Sequence, residues 1–332
     1  MTSPSLLRTL CASLALGAAS ASATAHDFLA GPYKDVSLHA GKGARIAAEL
    51  DGRTAPLPGT LLPPGTTLSW GFAVGECGRE TWLGRDAASF ARANVPAFVR
   101  AKQPYVVSTG GETGVFTCDS ARGMARFMAR YDSPMLRGFD FDIEGAQTPA
   151  QVDALVRQVK IAQRARPHLR YSFTVATWAA SDGSKRSINA LGETVLAAIR
   201  RHRLDDAVIN LMVMNYGPAA PDTCVVREGR CDMHASALQA AHNLHERHGV
   251  PLHRIALTAM MGVNNVAENV TSLADLQAIV RDARALGLAG VHAWSLDRDR
   301  PCPNGETALS PTCHSMPAPE PLAFTRALAA PR

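Results

Sequence analysis

The sequence lacks several features that would place it in a common class of protein. Aromatic residues make up only 6% of the 332 residues, and no run of five Lys or Arg occurs despite a formal net charge of +5. A positive charge dispersed in this way does not indicate a nucleic-acid-binding surface. No CxxC spacing is present, which argues against a structural zinc site. No Ser/Gly-rich linker divides the chain, so no second module is expected.

The N-terminus has the order of a secretory signal. Arg8 is the only charged residue among the first 25, an apolar or small-residue run covers Leu10–Ala19, and Ala23-Thr24-Ala25 follows. The run is too short to span a bilayer, and the order of basic, apolar and small-x-small residues predicts cleavage after Ala25. We therefore interpret residues 1–25 as a signal peptide and residues 26–332 as one domain. The protein is expected to be secreted or periplasmic, without a membrane partner.

Six cysteines remain beyond the signal, and an even number in an exported chain predicts disulfides. They are Cys77, Cys118, Cys224, Cys231, Cys302 and Cys313. Local spacing favours Cys224–Cys231 and Cys302–Cys313, each of which closes a short loop that contains Gly or Pro. Cys77 and Cys118 remain as the third pair. Free buried thiols are the alternative.

Apolar runs recur along the chain at intervals of about 30 to 45 residues, with helical patterns between several of them. The runs are Tyr33–Leu38, Leu68–Val74, Tyr105–Ser108, Gly138–Glu144, Tyr171–Thr177, Val208–Met214, Ile255–Met260 and Gly290–Ser295. Eight strands with intervening helices predict an α/β fold, a single (β/α)8 TIM barrel. A doubly wound open sheet is the alternative. Thr148 before Pro149, and Ser272 before Asp275, predict the starts of two helices.

The most informative stretch, Gly138–Gly145, reads Gly-Phe-Asp-Phe-Asp-Ile-Glu-Gly. Strict alternation predicts a strand with Asp140, Asp142 and Glu144 on one side and three large apolar residues on the other. Crowding of like charges raises the pKa of at least one carboxyl group. A protonated carboxyl beside an ionised one is the arrangement that acid-catalysed bond cleavage requires. An exposed acidic edge strand is the alternative, but the apolar face favours a central strand.

This stretch also resembles the signature of glycoside hydrolase family 18, the chitinase family, which is Asp-x-x-Asp-x-Asp-x-Glu on the fourth strand of a TIM barrel. Asp140, Asp142 and Glu144 match, whereas Arg137 stands where the family has its first Asp. The resemblance implies that Glu144 acts as general acid and then base. It implies that Asp142 orients the acetamido group of the sugar, whose oxygen attacks the anomeric carbon. The position of Asp140, deepest along the strand, predicts that it shares a proton with Asp142 or modulates its charge. The family is an exception to the two-carboxylate scheme and requires neither a metal nor an organic cofactor.

A second block, Asn210–Gly217, resembles the sixth-strand segment of bacterial and archaeal chitinases, in which Met-x-Met-Asp-Tyr-Gly is a recognisable form. The resemblance implies that Met212 and Met214 face inward as an apolar wall and that Tyr216 hydrogen-bonds the acetamide. Asn215 stands where many relatives have Asp, and its amide cannot ionise. A buried core strand is the alternative.

Two further segments carry the same resemblance. Ser108–Gly111 is similar to the family's Ser-x-Gly-Gly at the third strand, and Trp294 is similar to the eighth-strand Trp on which the sugar at the cleavage point stacks. Trp178, at the end of the fifth predicted strand, is another candidate for a stacking platform. A core position is the alternative for Trp294.

The resemblance implies a monomeric enzyme that hydrolyses β-1,4 links between N-acetylglucosamine units of chitin or chitooligosaccharides, with substrate-assisted retaining chemistry. Two alternatives remain. One is a barrel that binds such sugars without cleaving them, and the other is an endo-β-N-acetylglucosaminidase that acts on glycoprotein glycans. The low aromatic content favours soluble or amorphous substrates over crystalline chitin.

Overall fold

The computed structural model describes residues 27–39, 44–50, 52–59, 61–317 and 320–329, so the predicted signal peptide lies outside the described residues. Eight parallel strands close into a barrel: β1 Leu29–Asp35, β2 Leu68–Ala73, β3 Tyr105–Gly110, β4 Leu136–Asp142, β5 Arg170–Ala176, β6 Val208–Met212, β7 Ile255–Met260 and β8 Gly290–Trp294. Their order around the barrel is β1-β8-β7-β6-β5-β4-β3-β2. The predicted TIM barrel is confirmed, and each predicted run contributes one strand.

Helices follow the strands from β2 onwards. They are α1 Ala87–Arg100, α2 Ala121–Arg130, α3 Pro149–Ala165, α4 Ala190–His202, α5 Met233–His248, α6 Leu273–Ala285 and α7 Ala323–Ala329. The predicted starts of α3 and α6 are confirmed, since Thr148 and Ser272 each form a capping box. After β1, the described residues form an antiparallel hairpin, Ala47–Leu50 with Arg53–Pro56, in place of a helix.

Short elements complete the connections at the two ends of the barrel. Pairs of two-residue strands join Gly75–Glu76 to Phe116–Thr117, Thr81–Trp82 to Arg85–Asp86, Val226–Arg227 to Arg230–Cys231, and Gly262–Val263 to Val270–Thr271. Single turns of 3-10 helix lie at Leu252–Arg254, Leu296–Arg298 and Pro303–Gly305. None of the helices in the described ranges has both the length and the apolar character needed to cross a membrane.

Strand β4 has the two faces that its alternation predicts. Phe139 packs outward on Phe127 of α2, with ring centroids 5.0 Å apart, while Asp140 and Asp142 are buried inside the barrel. Arg137 lies on the outward side and is exposed, with its guanidinium against the carbonyl oxygen of Pro134. The residue that departs from the family signature therefore points away from the barrel interior.

Several strand boundaries differ from the prediction by one to four residues, and those of β1, β4 and β6 matter for the site. β1 begins at Leu29 rather than Tyr33. The prediction began later because Gly31 and Pro32 interrupt the apolar pattern that marks a strand. β4 ends at Asp142, so Glu144 lies in the segment that follows the strand.

All three predicted disulfides are present: Cys77–Cys118, Cys224–Cys231 and Cys302–Cys313. Cys77–Cys118 joins the loop after β2 to the loop after β3. The disulfides therefore fix loops at the carboxyl ends of the strands, where TIM barrels carry their active sites.

Candidate active site

The barrel opens at the carboxyl ends of its strands into a cavity of about 330 Å³. Three carboxylates, Glu112, Asp142 and Glu144, contribute to its walls, and no Lys, Arg or His is among the described residues that line it. Four aromatic residues also line it: Tyr33, Phe72, Trp178 and Trp294. The cavity therefore combines apolar rings with acidic groups and carries no balancing positive charge in its walls.

Below this cavity, Asp140 is buried at the centre of the barrel and accepts four hydrogen bonds. Ser108 Oγ and Tyr33 OH donate to its Oδ2 at 2.6 and 3.0 Å. Ser172 Oγ and Thr174 Oγ1 donate to its Oδ1 at 2.7 and 2.8 Å. Burial raises the pKa of Asp140, and the four hydroxyl donors oppose that rise.

The hydrogen bonds continue through two further strands. Asn210 Nδ2 donates to Tyr33 OH at 3.1 Å and to Thr174 Oγ1 at 2.8 Å. Thr258 Oγ1 donates to Asn210 Oδ1 at 2.9 Å. We call this network the lower layer; its members are Tyr33, Ser108, Asp140, Ser172, Thr174, Asn210 and Thr258. It joins β1, β3, β4, β5, β6 and β7 inside the barrel, and Tyr33, Thr174 and Thr258 also line the cavity.

Asp142 and Glu144, which we call the upper pair, lie nearer the cavity mouth. Asp142 is 4% exposed, and its Oδ1 has no hydrogen-bond partner. Burial, followed by the charges of Glu144 and Asp140, raises the pKa of Asp142 well above its ordinary value. Burial and the charge of Glu112 raise the pKa of Glu144 to about 7, although its hydrogen bond with Asp142 opposes the rise. Asp142 and Glu144 therefore both favour the protonated form more than an ordinary carboxyl group does, whereas hydroxyl groups donate to both oxygens of Asp140.

Three of the four site residues predicted in Asn210–Gly217 line the cavity. Met212, Met214 and Asn215 line the cavity wall. Asn215 Oδ1 also accepts a hydrogen bond from Val266 N at 3.1 Å, which ties the loop after β6 to the loop after β7.

Tyr216 is placed differently from the prediction and does not line the cavity. Its hydroxyl group is buried without a hydrogen-bond partner, and burial raises its pKa. The reason is local, because β6 ends at Met212 and Asn215 adopts a φ of 54°. Tyr216 therefore lies beyond the strand, where side chains no longer alternate between the inside and the outside of the barrel. The structure therefore does not bring this hydroxyl to the cavity wall.

Trp294 lines the cavity and is supported from behind. Its ring stacks on Phe72 with centroids 5.6 Å apart and an interplanar angle of 16°. The segment that follows Trp294 is attached to β1 by an ion pair between Lys34 Nζ and Asp297 Oδ1 at 2.6 Å, and both side chains are fully buried. Asp297 Oδ2 also accepts a hydrogen bond from Asp35 N at 3.1 Å.

Several residues at the site escaped the sequence analysis. Tyr33 belonged to the first predicted run, but β1 starts earlier than predicted, so its inward direction was not evident. Glu112 directly follows the Ser108–Gly111 block, and that position was the available signal. Asn189 and Asn265 line the cavity from loops in which no periodicity exists.

Close groups of metal-ligating side chains were also sought. Across the described ranges, one group of at least three such residues is found, formed by Glu76, Cys77 and Cys118. Its two sulfur atoms are joined in a disulfide, which removes the thiolate ligands that a metal would need.

Two curated proteins that resemble the chain in sequence are named as chitinases. No protein-family model matches the chain. The chain is 26% identical over 270 residues to a probable bifunctional chitinase/lysozyme of Escherichia coli K12, a match that covers 77% of this chain and 28% of the relative. It is 25% identical over 209 residues to endochitinase 11 of Metarhizium anisopliae, which covers 59% of this chain and 40% of the relative. The chain therefore spans less than half the length of these relatives.

Solved structures share the fold over almost the whole chain. The catalytic domain of the hyperthermophilic chitinase from Pyrococcus furiosus superposes with a TM-score of 0.64 at 21% identity, covering 91% of this chain and 94% of that domain. A group IV chitinase from Ostrinia furnacalis gives a TM-score of 0.54 at 11% identity, covering 91% of this chain and 99% of that one. The sequence relatives are named as chitinases, and the solved structures share the barrel fold of this chain.

Proposed function

We propose that this protein hydrolyses β-1,4 links between N-acetylglucosamine units of chitin or chitooligosaccharides. The observation that carries the proposal is the upper pair: a buried Asp142 hydrogen-bonded to Glu144, whose pKa is raised to about 7 at the mouth of an acidic cavity. A carboxyl group with such a pKa is protonated in a useful fraction of molecules near neutral pH, as a general acid must be. The sequence relatives named as chitinases support the same substrate class.

In the proposed reaction, Glu144, Asp142 and Asp140 have different roles according to their depth in the barrel. Glu144 donates its proton to the glycosidic oxygen, and the acetamido oxygen of the same sugar attacks the anomeric carbon in place of an enzyme nucleophile. Asp142 holds the acetamido N–H, for which its unpartnered Oδ1 is available. Glu144 then removes a proton from water, which opens the cyclic intermediate with retention of configuration. Asp140 anchors this arrangement from the lower layer.

Apolar surfaces would hold the sugar ring at the cleavage point. Trp294, supported by Phe72, presents a flat ring to the cavity, and Met212 and Met214 supply adaptable walls. The sequence assigned the donor to the acetamide carbonyl to Tyr216, which does not line the cavity. We propose Asn215, which lines the cavity, for that contact.

Export is the second part of the proposal. Three disulfides are consistent with an oxidising compartment, and the order of residues 1–25 is that of a secretory signal. We propose that residues 26–332 act as one catalytic domain outside the cytoplasm. Purified protein from the host periplasm or medium should begin at His26 when its N-terminus is sequenced.

One experiment separates this function from sugar binding alone. The mature protein and its Glu144→Gln variant are incubated with N-acetylglucosamine oligomers, and the products are analysed by mass spectrometry. The parent should cleave the oligomers, and the variant should lose about 10²- to 10⁴-fold in rate, because the general acid is gone. Binding of oligomers by the parent with no cleavage at any pH would instead establish a lectin-like barrel.

A further inference from the structure

Trp178 occupies a position in the cavity wall that the proposed chemistry leaves unused. It follows the end of β5, is half-buried, and lines the same cavity as Glu144. Its backbone N donates to Ser187 O at 2.9 Å, and Thr177 pairs with Ile188 in an antiparallel bridge. Residues 177–188 therefore form a hairpin loop that is closed at its base, and Trp178 lies in that base rather than at the tip.

The guanidinium group of Arg186 covers one face of the Trp178 ring. Its Cζ lies 3.6 Å from the ring centroid, within the range of a cation–π contact. Arg186 Nη1 also lies 3.3 Å from Asp222 Oδ2, which holds the guanidinium from another side. One face of the indole is thus occupied by the chain itself, while the ring still contributes to the cavity wall.

Further contacts attach the hairpin to the barrel. Asn243 of α5, 1% exposed, donates its Nδ2 to the carbonyl oxygens of Ala180 and Arg186 at 2.9 and 3.0 Å. Ala179 N donates to Thr223 O at 2.8 Å. A ring fixed in this way loses little conformational freedom when a ligand stacks on it, so the contact energy is retained as affinity.

Barrel order places Trp178 on the acid side of the cleavage point. β5 pairs directly with β4, which precedes Glu144, whereas Trp294 ends β8 on the opposite side of the barrel. A sugar that stacks on Trp294 with its glycosidic oxygen at Glu144 directs its leaving unit towards the loops that flank β4. Trp178 is the aromatic residue of the cavity wall that lies in one of those loops.

We propose that Trp178, backed by Arg186, is the stacking platform for the sugar unit on the leaving-group side of the cleavage point. The inference rests on the proposed glycosidase function. Its ligand is a pyranose such as the next N-acetylglucosamine unit, because the apolar C–H face of a pyranose matches the flat face of an indole. The same platform binds an acceptor sugar when the cyclic intermediate is opened by a hydroxyl group of that sugar instead of water.

Two substrates separate the two sides of the cleavage point. The N-acetylglucosamine tetramer requires a unit on the leaving-group side, whereas the preformed oxazoline of the disaccharide has no leaving unit. Trp178→Ala should lower kcat/KM for the tetramer roughly tenfold, as expected for the loss of one aromatic contact. Turnover of the oxazoline by water should stay within about twofold of the parent, because that contact is not used. Transfer from the oxazoline to added N-acetylglucosamine should fall with the tetramer rate.

Matched variants complete the experiment. Trp178→Phe should recover part of the tetramer rate, Arg186→Gln should show a smaller loss, and Ile161→Ala on the outer face of α3 should show none. Trp294→Ala should lower both reactions, since its ring lies on the other side of the cleavage point. Equal losses on both substrates in Trp178→Phe, or no loss on either in Trp178→Ala, would overturn the inference. Failure of the parent on both substrates would instead overturn the proposed function.

Discussion

Asp140 and Asp142 are two residues apart on β4 and are both buried, yet the chain surrounds them differently. Asp140 accepts four hydroxyl hydrogen bonds, so both of its oxygens are fully supplied with donors. Asp142 has one oxygen without a partner, and its contact is with another carboxyl group, that of Glu144. Since both are buried, the four donors around Asp140 and the neighbouring carboxyl charges around Asp142 account for the difference between their pKa values.

The contrast teaches where the chain completes its own hydrogen bonds and where it leaves them for a ligand. A buried polar atom without a partner costs about 1–3 kcal/mol, so selection for stability alone would have supplied one. Such exceptions concentrate at functional sites. The lower layer therefore resembles a structural support, and the upper pair has the unsatisfied chemistry of a binding and reaction site.

In the comparison of Asp140 with Asp142, the largest expected effect comes from removing the ionisable group of Asp142. Asp142→Asn should lower kcat about 10²- to 10³-fold, the range for losing one preorganised electrostatic contact to a transition state. The same variant should be more stable than the parent at neutral pH. Burial raises the folded-state pKa of Asp142, so this group favours the folded state below the ordinary pKa of 3.8 and loses that contribution as pH rises through the folded value. Oligomer kinetics and thermal unfolding at pH 4 and pH 7 test both parts, and a variant less stable at pH 7 would contradict the contrast.

The lower layer should respond in the opposite direction. Asp140→Ala should destabilise the protein by about 3 kcal/mol, because four hydroxyl groups lose their acceptor and a void is left. Asp140→Asn keeps the shape and one oxygen, so its loss of stability should be smaller. Denaturant unfolding of both variants measures this, and equal stability of Asp140→Ala and the parent would remove the structural role.

A smaller effect tests a single member of the lower layer. Ser172→Ala removes one donor to Asp140 and should cost about 1 kcal/mol of the free energy of unfolding, the usual net value of one hydrogen bond. Activity should stay within a few-fold of the parent because the remaining donors hold the carboxylate. The matched variant Ser37→Ala, at an exposed position after β1, should change neither quantity.

The smallest effect concerns the pH profile. The charge of Glu112 raises the pKa of Glu144, so Glu112→Gln should lower that pKa and move the alkaline limb of kcat/KM, expected near pH 7, to lower pH. Glu112 is exposed, so solvent screens its charge and the shift should be below about one pH unit. High salt should move the parent's limb in the same direction, and Glu306→Gln, at another exposed position, should leave it unchanged. A limb that moves to higher pH would contradict the role of Glu112.

Much of the barrel was predictable, because its signal is local. The alternation over Gly138–Glu144 predicted both faces of β4, and its parity also accounts for the outward direction of Arg137. The cysteine spacing predicted two of the disulfides, since short loops bring their ends together without help from the rest of the fold. Cys77–Cys118 was predicted as the remaining pair.

The parts of the site that could not be predicted lie where alternation stops. Tyr216 was assigned from the resemblance of Asn210–Gly217 to the family's sixth-strand segment, but β6 ends at Met212, Asn215 has a positive φ, and the ring of Tyr216 is buried. Glu112 comes after the end of β3, where the backbone path depends on neighbouring loops rather than on sequence period. Trp178 also follows a strand end, but it was a candidate platform in the sequence and does line the cavity. The hydroxyl donors to Asp140 come from several different strands, a combination that only the closed barrel assembles.

The ion pair between Lys34 and Asp297 has a consequence for the range of environments in which the protein works. Dissolved salt weakens exposed charge pairs, but it reaches a fully buried pair far less. This pair attaches the segment after Trp294 to β1, so the height of the indole above the lower layer should be the same in fresh water and in brine.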